Sequence, residues 1–171
     1  MPARPQDILE ADHRELETLL AATIEAICSG DLERSYSTVD LFWARLAIHI
    51  RAEHLHVFPA ILASETGDTS RTAAAVIRLR ADHEMFIREL ARAVKALRLA
   101  FSSENVPETL NVVGTLLDDV RRGLEVHNEI EEKEIYTLLE APYIDPRSLP
   151  ILATGIKKEL GNYPPRLHRA K

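Results

Sequence analysis

Six residues of this chain have the type and spacing of a metal-ligand set: His13, His49, Glu53, His83, His127 and Glu131. His49 and Glu53 stand four apart, as do His127 and Glu131. On a helix that spacing puts both side chains on one face, about one turn apart. His13 follows Leu9 by four and precedes Leu16 by three, and His83 lies between Leu79 and Phe86 in the same way. Each lone histidine therefore shares a face with apolar neighbours. The arrangement also repeats. Asp12-His13-Arg14-Glu15 is echoed by Asp82-His83-Glu84-Met85, and His49-Ile50-Arg51-Ala52-Glu53 by His127-Asn128-Glu129-Ile130-Glu131. Each half of the chain supplies one lone His and one His-x3-Glu, so antiparallel packing would turn the halves to face each other with approximate twofold symmetry.

Taken singly, a histidine on an apolar face is ordinarily a hydrogen-bonded core residue, and a His-x3-Glu pair is a solvated surface pair. Over four helices that reading fails on energy. Burying such groups without compensation costs on the order of several kcal/mol per charge, against about 5–15 kcal/mol for the stability of a whole domain. No Lys or Arg is expected in the seams at these levels, whereas cations supply the compensation directly. Imidazoles and carboxylates without a thiolate exclude a soft-metal or Fe–S site and leave iron, manganese or zinc. Two groups of two histidines, with two carboxylates able to bridge, suggest a pair of metals rather than one.

The remaining polar and aromatic residues have blander expectations. His54 should point about a hundred degrees away from Glu53, toward a flank. His56, three after Glu53, reaches toward the edge of the site as a supplementary ligand or outer partner. Glu17 and Glu84 are expected to be solvated or outer carboxylates, and Asp12 and Asp82 to sit on helix flanks. Trp43 and Phe86 read as core, and Tyr36 and Tyr136 as core packing rather than an access route. Cys28 reads as a passive, partly buried thiol, and His168 belongs to a loosely held tail.

The elements that must position the six residues are helices throughout. Apolar residues recur at three and four over about 5–28, 32–63, 71–101 and 105–140, and a shorter fifth helix is expected over about 145–160. Stripes such as Leu9, Leu16, Leu20, Ile24 and Ile27, or Leu110, Val113, Leu117, Val120, Leu124 and Leu138, mark the inward faces. Ser29-Gly30-Asp31, the polar loop 64–70 and Ala141-Pro142 separate the segments, with Asn105 as an N-cap candidate and Pro107 in the first turn of the fourth. Four long amphipathic segments joined by short loops fit an all-α, antiparallel up-down four-helix bundle over residues 1–140. Residues 141–171 would supply a C-terminal helix and tail packing on it. At 171 residues the chain holds one core. With Lys+Arg 21 against Asp+Glu 27 and a net charge of −6, the composition argues against nucleic acid or an anionic membrane as partner. One cysteine and no apolar leader give a cytoplasmic expectation.

These residues resemble the hemerythrin family in its HHE cation-binding form. The resemblance rests on His13, His49-x3-Glu53 followed by Val57-Phe58-Pro59-Ala60-Ile61-Leu62, His83-Glu84, and His127-x3-Glu131 followed by Glu132 and Ile135-Tyr136, over about residues 7–140. It implies a four-helix bundle around two iron ions in an oxo- or hydroxo-bridged centre, with manganese or zinc as substitutes. His13 and His49 would hold one iron, His83 and His127 the other, and Glu53 and Glu131 would bridge. A ferritin-like centre, with four carboxylates, two histidines and the order Glu-x-x-His, has the opposite balance. Oxygen-carrying hemerythrins have a fifth histidine one turn from the third-helix His; here Leu79 and Ile87 stand one turn either side of His83. The four-His, two-Glu set is instead similar to the hemerythrin domain of bacterial proteins that repair iron centres.

Two histidines, two bridging carboxylate oxygens and one bridging oxygen give five ligands per iron, so each octahedral iron would keep an open position. That arrangement favours redox turnover or labile iron over reversible carriage. The expected function is a non-haem di-iron protein that binds or reacts with O₂, NO or peroxide, in oxidative or nitrosative stress response or iron handling. A metal-stabilised helical interaction or sensory module without turnover is the alternative from a different class. Oxidoreductase activity, a homodimer and a redox partner are left open.

Overall fold

The computed structural model describes residues 4–64, 69–140 and 142–162. Helix α1 (Pro5–Cys28) opens with proline in its first turn, where the missing N–H costs nothing. It closes at Gly30, which takes φ 77°, the left-handed conformation that glycine adopts most cheaply. Asp31 then caps α2 (Leu32–Ala52), accepting a hydrogen bond from the Arg34 backbone N–H at 2.9 Å.

Beyond Ala52 the helix widens into a π turn over Glu53–Val57 and resumes as α3 (Phe58–Leu62). Pro59 gives a physical reason. It offers no N–H to residue 55, and its ring would crowd that carbonyl in a regular helix. The N–H of Phe58 bonds instead to the carbonyl of Glu53. Helix α4 (Thr69–Ala100) runs back along the bundle, and α5 (Val106–Ile130) returns with Pro107 in its first turn. A second π turn, Glu131–Ile135, follows and passes into one 3₁₀ turn, Tyr136–Leu138.

Both π turns begin on the glutamate of a His-x3-Glu pair. Each inserts one residue into the helix, so the residue five after the glutamate is stacked above it. That insertion moves the inward face by one position. Leu139 is fully buried, whereas Leu138, expected on the stripe, is only half-buried.

α1 packs on α2 and α5, and α4 packs on the same two, closing a ring of four helices. This is the helical bundle that the periodicity implies, and no strand occurs among the described residues. α6 (Leu149–Leu160) lies against α1, α2 and the first π turn. It begins later than the expected 145. The Asp145 carboxylate accepts from the backbone N–H of Arg147, and the Ser148 N–H bonds to the Asp145 carbonyl, so 145–148 form a turn. Asn105 stands at the N-cap position of α5, but its side chain bonds to Glu108 rather than to a backbone N–H.

The apolar interior is split in two. One cluster, including Leu16, Phe42, Leu90 and Leu117, fills the end of the bundle near the 29–31 turn. The other, including Leu9, Phe58, Leu79, Ile135 and Ile156, fills the opposite end beneath α6. A buried polar layer lies between them. No described helix is long and apolar enough to cross a membrane.

Candidate metal centre

The polar layer is made by the last turns of α2 and α5, the π turns that follow them, and the middle turns of α1 and α4. α1 carries His13 and α4 carries His83, while His49 and His127 end α2 and α5 and hand on to Glu53 and Glu131. All six side chains are buried, none above 3% exposed. The structure brings them into two overlapping groups: His13, His49, Glu53 and Glu131, and Glu53, His83, His127 and Glu131. Within each group the candidate ligand atoms lie within 4.8 Å of one another.

All four imidazoles present the same nitrogen, Nε2, to the centre. His13 Nε2 lies 3.1 Å from His49 Nε2, and His83 Nε2 lies 2.9 Å from His127 Nε2. Each carboxylate faces its own helix's histidine and also the lone histidine of the other half. Glu53 is 3.5 Å from His49 Nε2 and 3.2 Å from His83 Nε2. Glu131 is 3.1 Å from His127 Nε2 and 3.4 Å from His13 Nε2. Both glutamates therefore occupy bridging places between the two histidine pairs.

The chemistry of this donor set fits cations. Glu53 Oε2 and Glu131 Oε1 are buried and receive no hydrogen bond, despite the imidazole nitrogens beside them. Burial opposes ionisation of both carboxyls, and Glu53 further opposes Glu131. The facing imidazoles outweigh these effects and hold both below the usual carboxylate range. Burial likewise opposes a charge on His49 and His127. Glu53 and Asp12 nevertheless push His49 up to about 10, and Glu131, Glu53 and Asp82 raise His127. Without cations, then, protons must take over the work of balancing these carboxylates.

The outward nitrogens are all engaged. His49 Nδ1 meets Asp12 Oδ2 at 2.9 Å, and His127 Nδ1 meets Asp82 Oδ2 at 3.3 Å. His13 Nδ1 meets Glu132 Oε1 at 2.8 Å, and His83 Nδ1 meets His54 Nε2 at 3.0 Å. An Nδ1–H donated outward leaves Nε2 with its lone pair aimed at the centre. Asp12 and Asp82 thus do more than occupy helix flanks: each reaches across to the histidine of the next helix. Asp12 is itself buried and paired with Arg45. The seam therefore does contain an arginine, but it serves Asp12 and not the two glutamates.

Two residues stand elsewhere than the spacing predicts: His54, expected on a flank, reaches the outward nitrogen of His83, and Tyr136 reaches the centre itself. Tyr136 is fully buried, as core packing requires, yet its hydroxyl enters the site. Oη donates to Glu53 Oε1 at 2.5 Å and lies 3.2 Å from Glu131 Oε2 and 3.1 Å from His13 Nε2. Burial and the two carboxylates push the phenol well above its usual range, which keeps the proton on Oη. Its place follows from the π turn, which sets residue 136 above Glu131; a helical wheel without the inserted residue turns it aside. Tyr136 is thereby a seventh inward group, whose hydroxyl holds its proton against the two carboxylates.

The other candidates fall outside the centre. His56 stacks against Gly155 of α6, where a Cβ would come within 2.9 Å of its ring. Glu84 is exposed, as is Cys28, because Ile27 takes the inward position next to it. Phe86 is core, and its ring meets His127 edge-on at 5.4 Å. Phe42 holds the fully buried position beside the half-buried Trp43. Tyr36 is half-buried, edge-on to Phe101, which is 54% exposed rather than inward. His168 lies outside the described residues, as do Ala141 and most of the tail.

On one side the four imidazoles border a cavity of about 20 Å³, room for a water or a diatomic molecule. Leu16, Leu20, Phe42, Leu46 and Leu124 wall it, and the exposed Glu17 and half-buried Asn128 stand at its margin.

No curated protein and no solved structure matches the chain. The family model of the hemerythrin HHE cation-binding domain matches residues 4–143. That span takes in both histidine pairs, both inward glutamates and Tyr136, and excludes α6. By this match and by its buried His/Glu layer, the chain belongs to the hemerythrin HHE cation-binding domain family.

Proposed function

We propose that the six inward groups hold two iron ions and that the chain binds or reacts with a small molecule, O₂, NO or peroxide. The observation that carries this reading is the sharing of Glu53 and Glu131 between two pairs of Nε2 atoms. His13 and His49 would hold one ion, His83 and His127 the other, with the two glutamates between them. A bound iron pair supplies electrons and open coordination positions.

The chain's own residues set the terms. The partners on Nδ1 fix the tautomer and aim of each imidazole. The leucine and phenylalanine wall leaves room beside the imidazoles for a molecule of one or two heavy atoms. Leu79 and Ile87, one turn either side of His83, offer no further ligand. Tyr136 holds a proton at Oη next to Glu53, within reach of the first position. An iron pair with open positions and a proton nearby would suit redox turnover, which supports a role in oxidative or nitrosative stress response or in iron handling.

Anaerobic iron loading followed by separate stopped-flow challenge with O₂, NO and peroxide tests the reading. Two irons per chain and rapid irreversible oxidation by at least one of the three are expected. Reversible uptake and release of O₂ would move the function to carriage. A folded protein that takes up only zinc, or no metal, would leave a structural module.

A further inference from the structure

The two halves of the centre correspond residue for residue: Asp12 to Asp82, His13 to His83, His49 to His127 and Glu53 to Glu131. The correspondence breaks at the residue after each bridging glutamate. One half has Glu132 there and the other His54, and each bonds the outward nitrogen of a lone histidine. It breaks again above the glutamates, where Tyr136 answers Phe58.

We propose that these differences make two unequal metal positions, a tight one on His13 and His49 and an exchangeable one on His83 and His127, with His54 as the positioning residue that sets the difference. The proposal rests on the two-metal reading above. A carboxylate that accepts from Nδ1–H pulls proton density off the ring, strengthens Nε2 as a donor and adds negative charge near the cation. Both histidines of the first position have such a partner: Glu132 at 2.8 Å and Asp12 at 2.9 Å. At the second position only His127 has one. Asp82 is also more distant, at 3.3 Å against 2.9 Å for Asp12. With a cation on His83 Nε2, the ring proton of His83 sits on Nδ1 and His54 Nε2 is left to accept it. His54 orients His83 through a hydrogen bond of 3.0 Å, but as an imidazole acceptor it adds no negative charge.

The surrounding cations do not cancel this difference. Arg45 offsets part of the charge of Asp12. On the other side Arg80 lies over the Phe58 ring, 5.4 Å from its centroid, and adds positive charge beside the second position. Tyr136 places an oxygen 3.1 Å from His13 Nε2, whereas Phe58 stacks on His83 with no donor at all. Apart from Arg45, each of these differences favours the first position. An exchangeable second ion is what iron delivery, or reversible opening of a coordination position to a small molecule, requires.

The test uses zinc alone, which has no redox chemistry, on the full chain. Two ions are loaded and their release to an excess of a chromophoric chelator is followed. Two phases of equal amplitude are expected, with rates differing roughly ten- to hundredfold. His54→Glu should slow the fast phase toward the slow one, and the uncharged acceptor in His54→Gln should leave both phases in place. Glu132→Gln, at a residue whose side chain is 41% exposed and therefore a mild change to the fold, should speed the slow phase by roughly tenfold. A single phase in the wild type, or two phases that neither charge change moves, would overturn the proposal. A chain that binds no zinc would overturn the two-metal reading as well, which separates the two failures.

Discussion

In each half of this centre, a carboxylate next to one histidine in the chain serves a different histidine in space. Asp12 precedes His13 but bonds His49, and Asp82 precedes His83 but bonds His127. The doubled Asp-His was visible as a repeat, and histidine ligands ordinarily donate their second nitrogen to a carboxylate. What periodicity cannot supply is which helix lies within reach, so Asp12 and Asp82 read only as flanking residues. The same holds for Glu132 and His54. The six inward residues were legible because each breaks an apolar stripe at helical spacing. Tyr136 was not, because an aromatic residue on an apolar face looks like core until the π turn is known. Asp12→Asn keeps the shape of the side chain and removes its charge. It should weaken metal binding roughly ten- to hundredfold without unfolding the chain, measured by competition with a chelator of known affinity.

The helices themselves were largely readable. α1 runs over the expected residues 5–28, and α4 differs from its expected span by two residues at the start and one at the end. Gly30 and Asp31 end one helix and begin the next with the chemistry such residues ordinarily provide. The π turns escaped because residues four apart look alike in a regular and in a widened helix, and only Pro59 gave a sign of one. α5 passes close to α4 at Gly123. A Cβ on Gly123 would stand 2.8 Å from the ring of Phe86, which is 1% exposed and has nowhere to turn. Gly123→Ala should therefore cost about 1–3 kcal/mol in denaturant unfolding. Because Phe86 lies edge-on to His127, that variant should also disturb metal binding on the His83–His127 side, as proposed above, more than on the His13–His49 side.

At the scale of the whole molecule, the buried layer ties stability to pH when metal is absent. His49 is raised from 6.5 to about 10, so its contribution is complete below pH 6.5 and is lost as pH rises toward 10. Glu53 and Glu131 are held below 4.5, so their contribution is complete above that value and is lost as pH falls beneath it. The metal-free chain should have its highest melting temperature between about pH 4.5 and 6.5, and a lower one at pH 9. Metal binding releases the imidazole protons, so saturating zinc should raise the melting temperature more at pH 7.5 than at pH 5. Parallel thermal scans of the two forms across pH check both statements.

Anomalous diffraction from crystals of the iron-loaded chain tests most directly whether two cations belong in this layer. The account predicts two peaks, one among His13, His49, Glu53 and Glu131 and the other among Glu53, His83, His127 and Glu131. Density elsewhere on the chain, with those side chains still turned inward around no metal, would contradict it.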